Sequence, residues 1–283
     1  MLLHFADADS DFESSYFVIF GVPFDGTSSY RHGSKFAPDE IRKASYNLES
    51  YLPEHDFSFR NVKVHDMGNI GTLDEFGNAE DVIESVYSTL LSLEEKFPIM
   101  LGGEHSITIG AAKALASKSN VGMLFIDAHA DFRDSYLGNR YSHACVARRA
   151  YEYLKGKIIS LGVRSASEDE VIFARKIGYK WFTSYDFRER GWEEVIKEAL
   201  EILDVEKIYL SIDIDGIDPS FAPGTGTPEY FGLTPLEVKN IIDFLGPKLI
   251  GADIVEICPP CDNGNTSILG ARFVQEIIAA SVP

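Results

Sequence analysis

Lys207-Ile208-Tyr209-Leu210-Ser211-Ile212-Asp213-Ile214-Asp215-Gly216-Ile217-Asp218-Pro219 begins as an apolar run and ends in carboxylates. The first half has the pattern of a strand buried on both faces of a parallel sheet. The same layout occurs twice upstream. Residues 98–101 lead into Gly102-Gly103-Glu104-His105-Ser106, and residues 122–126 lead into Asp127-Ala128-His129-Ala130-Asp131. In an open parallel sheet the carboxyl ends of the strands form one rim, where ligand sites collect. Three polar clusters are therefore expected on one rim.

Working outward, strands are predicted at 16–22, 62–66, 98–101, 122–127, 157–163, 207–213 and 249–256. Helices are predicted at 38–47, 79–97, 192–203, 234–245 and 266–281, where apolar residues recur at helical spacing. Thr234-Pro235-Leu236-Glu237 combines a capping Thr, Pro at the first helical position and Glu at the third. No linker, repeat or low-complexity stretch divides the chain. Alternating β and α elements predict one α/β domain over residues 1–283, with a mostly parallel sheet and helices on both faces.

The spacing predicts chemistry. Extended backbone sends alternate side chains the same way, so Asp127, His129 and Asp131 are expected to converge, and so are Asp213 and Asp215. Ala128, Ala130 and Ile214 between them suit the inward face. So many acids and imidazoles at a buried rim would repel one another and lose hydration. Divalent cations remove that conflict. An Asp-rich, His-containing set without thiolates suits Mn²⁺ better than zinc. With His105 the set holds enough ligands for two metals, the arrangement that activates a bridging hydroxide. A single Asp-Xaa-Asp before Gly is often a turn, but three clusters after three separate strands are hard to explain that way.

The 283 residues include 26 basic and 44 acidic side chains, a formal charge of −18. That excludes a nucleic-acid reader, which needs clustered Lys and Arg, and disfavours an anionic membrane. A cationic substrate is permitted. Hydrophobic residues make up 45%, an ordinary globular share. The three cysteines are too few for a secreted disulfide framework. Residues 1–10 show no signal-peptide pattern, and no apolar run approaches the roughly 20 residues that span a bilayer. A cytoplasmic location is expected. Cys258-Pro259-Pro260-Cys261 follows a strand instead of opening a helix, so a structural turn is expected, with a bridge between the two sulfurs open.

These motifs, with Ala222-Pro223-Gly224-Thr225-Gly226-Thr227-Pro228 after the third cluster, resemble the ureohydrolase family of arginases and agmatinases. Gly21-Val22-Pro23-Phe24-Asp25, Arg31-His32-Gly33, Pro38-Asp39-Glu40-Ile41-Arg42 and Asp66-Met67-Gly68-Asn69 extend the resemblance nearly end to end. It implies a three-layer α/β/α sandwich of arginase type, two Mn²⁺ per subunit and assembly as a homotrimer or homohexamer. His105, Asp127, Asp131 and Asp213 would hold one ion. His129 and Asp215 would hold the other, with Asp127 and Asp213 as bridges. His143, in Tyr141-Ser142-His143-Ala144-Cys145, would shuttle a proton, although many relatives have Gly where Ala144 stands. Glu256 would grip the substrate guanidinium, and Asp131 would orient the attacking hydroxide.

The implied reaction is hydrolysis of a small guanidino compound to urea and an amine. After residues 157–163 arginases resemble one another in acids that follow an Arg. Here Arg164-Ser165-Ala166-Ser167 places Ser167 where the first acid would fall. Agmatine, giving urea and putrescine, is thus expected over arginine, with N1-aminopropylagmatine the near alternative. A one-metal deacetylase would leave His105 and Asp215 unexplained. A two-metal phosphoesterase should show phosphate-facing cations, and only Arg133 is near. A non-catalytic polyamine-binding protein has no use for His143 beside six ligands.

Overall fold

The computed structural model describes residues 3–73, 75–93 and 95–282. Met1, Leu2 and Pro283, at the ends of the expected domain, lie outside them. The strands among these residues are β1 (Phe17–Val22), β2 (Tyr51–Leu52), β3 (Phe57–Ser58), β4 (Val64–Asn69), β5 (Phe97–Gly102), β6 (Val121–Ile126), β7 (Ile158–Val163), β8 (Trp181–Thr183), β9 (Lys207–Asp213) and β10 (Leu249–Val255). β2 and β3 pair as a small antiparallel ribbon. The other eight form one sheet in the order β4-β1-β5-β10-β9-β6-β7-β8, and each of its ladders is parallel.

Helices α1 (Ala37–Ser45), α2 (Ala79–Ser92), α3 (Thr108–Leu115), α4 (Val146–Tyr153), α5 (Glu168–Ile177), α6 (Ser184–Arg190), α7 (Trp192–Leu203), α8 (Pro235–Leu245) and α9 (Asn265–Ser281) lie between and after the strands. Alternation along β1 separates two cores. Phe17 and Ile19 pack in one cluster with Ile41 of α1, Ile241 of α8 and Ile277 of α9. Val18 and Phe20 pack in the other with Val82 of α2, Ile109 of α3 and Val146 of α4. The result is a three-layer α/β/α sandwich, as expected. Burying one such Ile or Val fully contributes about 1.5–3 kcal/mol, so the central strands are fixed by many such contacts.

Register places the site. Leu101 pairs with Ile254, Ile254 with Ile212, and Ile212 with Ile126. These residues stand in line across β5, β10, β9 and β6, so the segments that follow reach one rim together.

Thr234 caps α8 in the expected capping box, with Pro235 as the first helical residue. The helix expected over 79–97 stops at Ser92 instead. Phe97 is already in register with Phe17 as the first residue of β5, so the intervening turn must end the helix. α3 to α6 and β8 had not been anticipated. α3 buries Ile109, Gly110, Ala111 and Ala112 in succession, so it has no polar face to give a helical period. β8 is three residues long, too short for a pattern. Cys258 and Cys261 are joined across the expected turn, whose short 3-10 helix is Pro259–Cys261. No helix among the described residues is long and apolar enough to cross a membrane.

Candidate metal centre

Gly103 sets the first ligand in place. A Cβ there would lie 2.3 Å from the Phe24 carbonyl and 2.7 Å from that of Val22, so only glycine lets the chain turn this close to β1. His105 follows on a 3-10 turn (His105–Ile107) capped by the Glu104 carboxylate. Glu104 is fully buried and also accepts from Thr27 N (3.1 Å) and Thr27 Oγ1 (2.8 Å).

Three carboxylates surround one atom of His105. Its Nδ1 lies 3.4 Å from Asp127 Oδ2, 3.3 Å from Asp131 Oδ2 and 3.1 Å from Asp213 Oδ2. Nδ1 is buried, yet none of these oxygens is placed to form a hydrogen bond with it. The other ring nitrogen explains why. Ser211 Oγ donates to Asp253 Oδ1 at 2.6 Å. With its one proton committed, Ser211 accepts from His105 Nε2 at 3.2 Å. Nε2 therefore carries a hydrogen, and Nδ1 is the atom that takes a proton or a cation. Thr108 Oγ1 donates to the other Asp253 oxygen at 3.1 Å.

A second set adjoins the first. His129 Nδ1 is 3.0 Å from Asp215 Oδ2 and 3.7 Å from Asp127 Oδ1. Asp127 thus turns one oxygen to each histidine. His105, Asp127 and Asp213 form one group able to hold a cation, and Asp127, His129 and Asp215 form another. Asp131 stands at the edge of the first group. Asp213 Oδ1 accepts from Asp215 N at 2.9 Å, and its Oδ2 faces His105.

The convergence expected from strand alternation occurs by another route. β6 ends at Ile126, and Asp131 has a left-handed φ of 47°. Asp213 ends β9, and Asp215 sits in the 3-10 turn Ile214–Gly216. Turns, not pleats, aim Asp131 and Asp215. Ala128, Ala130 and Ile214 are buried as expected.

The electrostatics fit cations. Burial pulls His105 down, but the facing Asp127, Asp131 and Asp213 outweigh it and hold its imidazole well above the usual range. His129 is likewise raised despite burial, chiefly by Asp215. Burial and the Asp127 charge push Asp131 up to about 6. Burial with the charges of Asp215 and Asp127 raises Asp213 well above the usual carboxylate range. Asp215 is the exception. Burial opposes its charge, but His129 beside it holds its carboxyl low. Without cations the site must store protons; oxygen-rich groups with an orphaned imidazole nitrogen are a donor set for hard to borderline divalent ions.

Above the two groups opens a cavity of about 290 Å³, lined by Asp131, His143, Glu256, Arg133, Tyr136 and Ser167 among others. His143 Nδ1 is 3.3 Å from Thr27 Oγ1 and its Nε2 is 3.3 Å from Ser29 Oγ. Glu256 follows β10 with a left-handed φ of 63°, and its Oε1 accepts from His105 N at 2.8 Å. Burial, then the Glu104 charge, push its carboxyl well up. Arg133 also lines the cavity, with Nε 3.6 Å from Glu170 Oε2. Glu170 in turn accepts from Phe132 N (2.8 Å), Ser167 N (2.8 Å) and Ser167 Oγ (2.6 Å). Every residue expected in the site is thus at this rim. Sequence reading missed Asp253, Ser211, Thr108 and Glu104. Ser211, two positions before Asp213, and Asp253, three before Glu256, were visible as polar breaks in apolar strands.

Two carboxylate-histidine groups sharing one Asp at the carboxyl rim of an α/β/α sandwich define a candidate binuclear hydrolase. Residues 15–280 match the Arginase family. The chain is 44% identical to the agmatine ureohydrolase of Thermoplasma volcanium, whose solved structure superposes with a TM-score of 0.94 over 99% of this chain and 94% of that one. It is 40% identical to the N(1)-aminopropylagmatine ureohydrolase of Thermococcus kodakarensis, over 95% of this chain and 91% of the relative. It is 37% identical to the agmatinase of Pyrococcus horikoshii, over 96% and 94%. The chain belongs to the arginase family. It is an amidinohydrolase, an enzyme that hydrolyses carbon–nitrogen bonds of guanidino compounds.

Proposed function

We propose that this protein is a Mn²⁺-dependent agmatinase that converts agmatine to urea and putrescine. The observation that carries the reading is Glu256. It is a buried acid facing the cavity, with no cation paired to it among the described residues. Its surroundings favour the protonated form, and a guanidinium reverses that preference by bringing both charge and N–H donors.

His105, Asp127, Asp131 and Asp213 would hold one Mn²⁺, and Asp127, His129, Asp213 and Asp215 the other. When bound, the two ions supply a nucleophilic water at neutral pH and stabilise the charge that develops on the substrate. Glu256 holds the guanidinium in place. Asp131, at the edge of the ligand set and on the cavity wall, accepts a proton from the attacking water. His143, poised between Thr27 and Ser29 hydroxyls, returns a proton to the leaving amine. The whole of 1–283 is proposed as one cytoplasmic ureohydrolase domain that assembles as a homotrimer or homohexamer, the assembly the family resemblance implies.

For the tail, Ser167 supports agmatine over arginine, because its amide and hydroxyl are spent capping α5. An N-aminopropyl extension is supported by the Thermococcus relative. Arg133 on the cavity wall favours a second reading, an ω-guanidino acid whose carboxylate would displace Glu170 from it. Urea release from agmatine, aminopropylagmatine, 4-guanidinobutyrate and arginine, with and without Mn²⁺, separates these. Agmatine or its aminopropyl derivative is expected to exceed arginine by at least about a hundredfold in kcat/KM, about 2.8 kcal/mol. Comparable rates on arginine, or a preference for the guanidino acid, overturn the substrate assignment.

A further inference from the structure

Arg164 follows β7 and reaches under the second ligand group. Its side chain donates only to main-chain carbonyls. Nη1 reaches Gly162 O (3.0 Å) and Gly216 O (3.1 Å), and Nε reaches Tyr230 O (3.0 Å). Nη2 reaches Asp215 O (2.6 Å), Glu229 O (2.8 Å) and, more distantly, Ile217 O (3.4 Å). Burial lowers its pKa, against the pull of Asp215, Asp127, Asp218 and Glu229.

The two shortest of these contacts share a target. His129 stands between Asp215 Oδ2, 3.0 Å from its Nδ1, and Glu229 Oε1, 3.8 Å from its Nε2. The main-chain carbonyls of both residues accept from the same nitrogen, Arg164 Nη2. The two segments are also zipped directly, by Leu233 N to Gly216 O (3.0 Å) and Asp218 N to Leu233 O (2.9 Å). The guanidinium fixes the spacing of the residues on either side of the His129 ring.

We infer that Arg164 is a positioning residue for the second cation, the one held by Asp127, His129 and Asp215. This rests on the binuclear reading above. It acts through the turn that carries Asp215 and touches neither substrate nor cation. Lysine would keep the charge, but its single ammonium lacks the planar fork that joins three segments.

The test uses full-length wild type, Arg164→Lys and Arg164→Gln, each stripped and reloaded with Mn²⁺. Bound Mn²⁺ is measured by elemental analysis across free Mn²⁺ concentrations, with electron paramagnetic resonance to distinguish a coupled pair from isolated ions. Wild type should take two ions. The variants should keep the first with unchanged affinity and lose the second by at least tenfold in Kd, showing isolated-ion spectra, while excess Mn²⁺ restores kcat with KM unchanged. Two ions bound as tightly as in wild type, or both weakened alike, overturn the inference while leaving the binuclear reading intact. Wild type that takes a single ion overturns both. If neither variant gives the wild-type circular dichroism spectrum, the inference is also overturned, since the residue then serves the fold first.

Discussion

Ser211→Ala removes one oxygen atom from the relay that fixes His105, far enough from the cavity to leave the substrate untouched. In the wild type Ser211 Oγ accepts from His105 Nε2 at 3.2 Å and donates to Asp253 at 2.6 Å. All three residues are buried. Without the hydroxyl, Nε2–H has no acceptor and one Asp253 oxygen has no donor. A buried group left unpaired costs about 1–3 kcal/mol. Loss of an outer partner of a ligating histidine lowers metal affinity about 10–100-fold, or about 1.4–2.8 kcal/mol, the same range. Mn²⁺ Kd measured by competition with a fluorescent chelator should therefore rise by one to two orders of magnitude. Activity at saturating Mn²⁺ should return close to wild type, because His105 Nδ1 can still ligate once the ion is forced in. If Ser211→Ala binds Mn²⁺ as tightly as wild type while its Tm falls, Ser211 and Asp253 are scaffold, and the assignment of the His105 tautomer is wrong.

Glu256→Gln keeps the shape of the side chain but removes its charge; at about 1.5–3 kcal/mol for a hydrogen bond to a charged partner, kcat/KM should drop at least tenfold with Mn²⁺ content unchanged. Asp127→Ala should weaken both ions, because one oxygen faces each histidine, whereas Asp215→Ala should spare the first; elemental analysis decides. Asp131 has a folded pKa of about 6, above the ordinary value of about 3.9, so its contribution to metal-free stability is greatest below about pH 4 and is lost as pH rises through 6. Asp131→Asn should accordingly raise the unfolding free energy of the metal-free protein at pH 7 by about 2–3 kcal/mol while abolishing activity, and equal denaturation midpoints for the two proteins at pH 7 would refute this. Protons on the same ligands oppose Mn²⁺ below about pH 6, so activity lost there should be partly recovered by excess Mn²⁺.

The layered fold was legible because the central strands are buried on both faces and so read as unbroken apolar runs: the expected strand 207–213 is β9 to the residue. The short edge strand and the most deeply buried helix were not, since the three residues of β8 and the near-complete burial of α3 leave no period to detect. The ligands were legible from residue type. The route by which they meet was not, because Asp131 and Asp215 depend on a left-handed residue and a 3-10 turn, which alternation does not describe. Asp253 was hidden for a different reason. Its role appears only when β10 is set beside β9 with Asp253 opposite Ser211, and strand order cannot be derived from a single sequence.

That strand order also sets when the site can exist. β10 lies between β5, which leads to His105, and β9, which ends in Asp213. Its residues Ala252, Asp253 and Ile254 pair with both neighbours. Yet β10 is the last strand among the described residues. On a ribosome, where domains generally fold as units and long-range parallel pairing is slow, His105 and Asp213 are synthesised long before the strand that sets their separation. A nascent chain ending before Leu249 already carries all six candidate ligand residues but lacks the strand that separates β5 from β9. The spacing between His105 and Asp213 is therefore complete only once β10 has inserted between their strands.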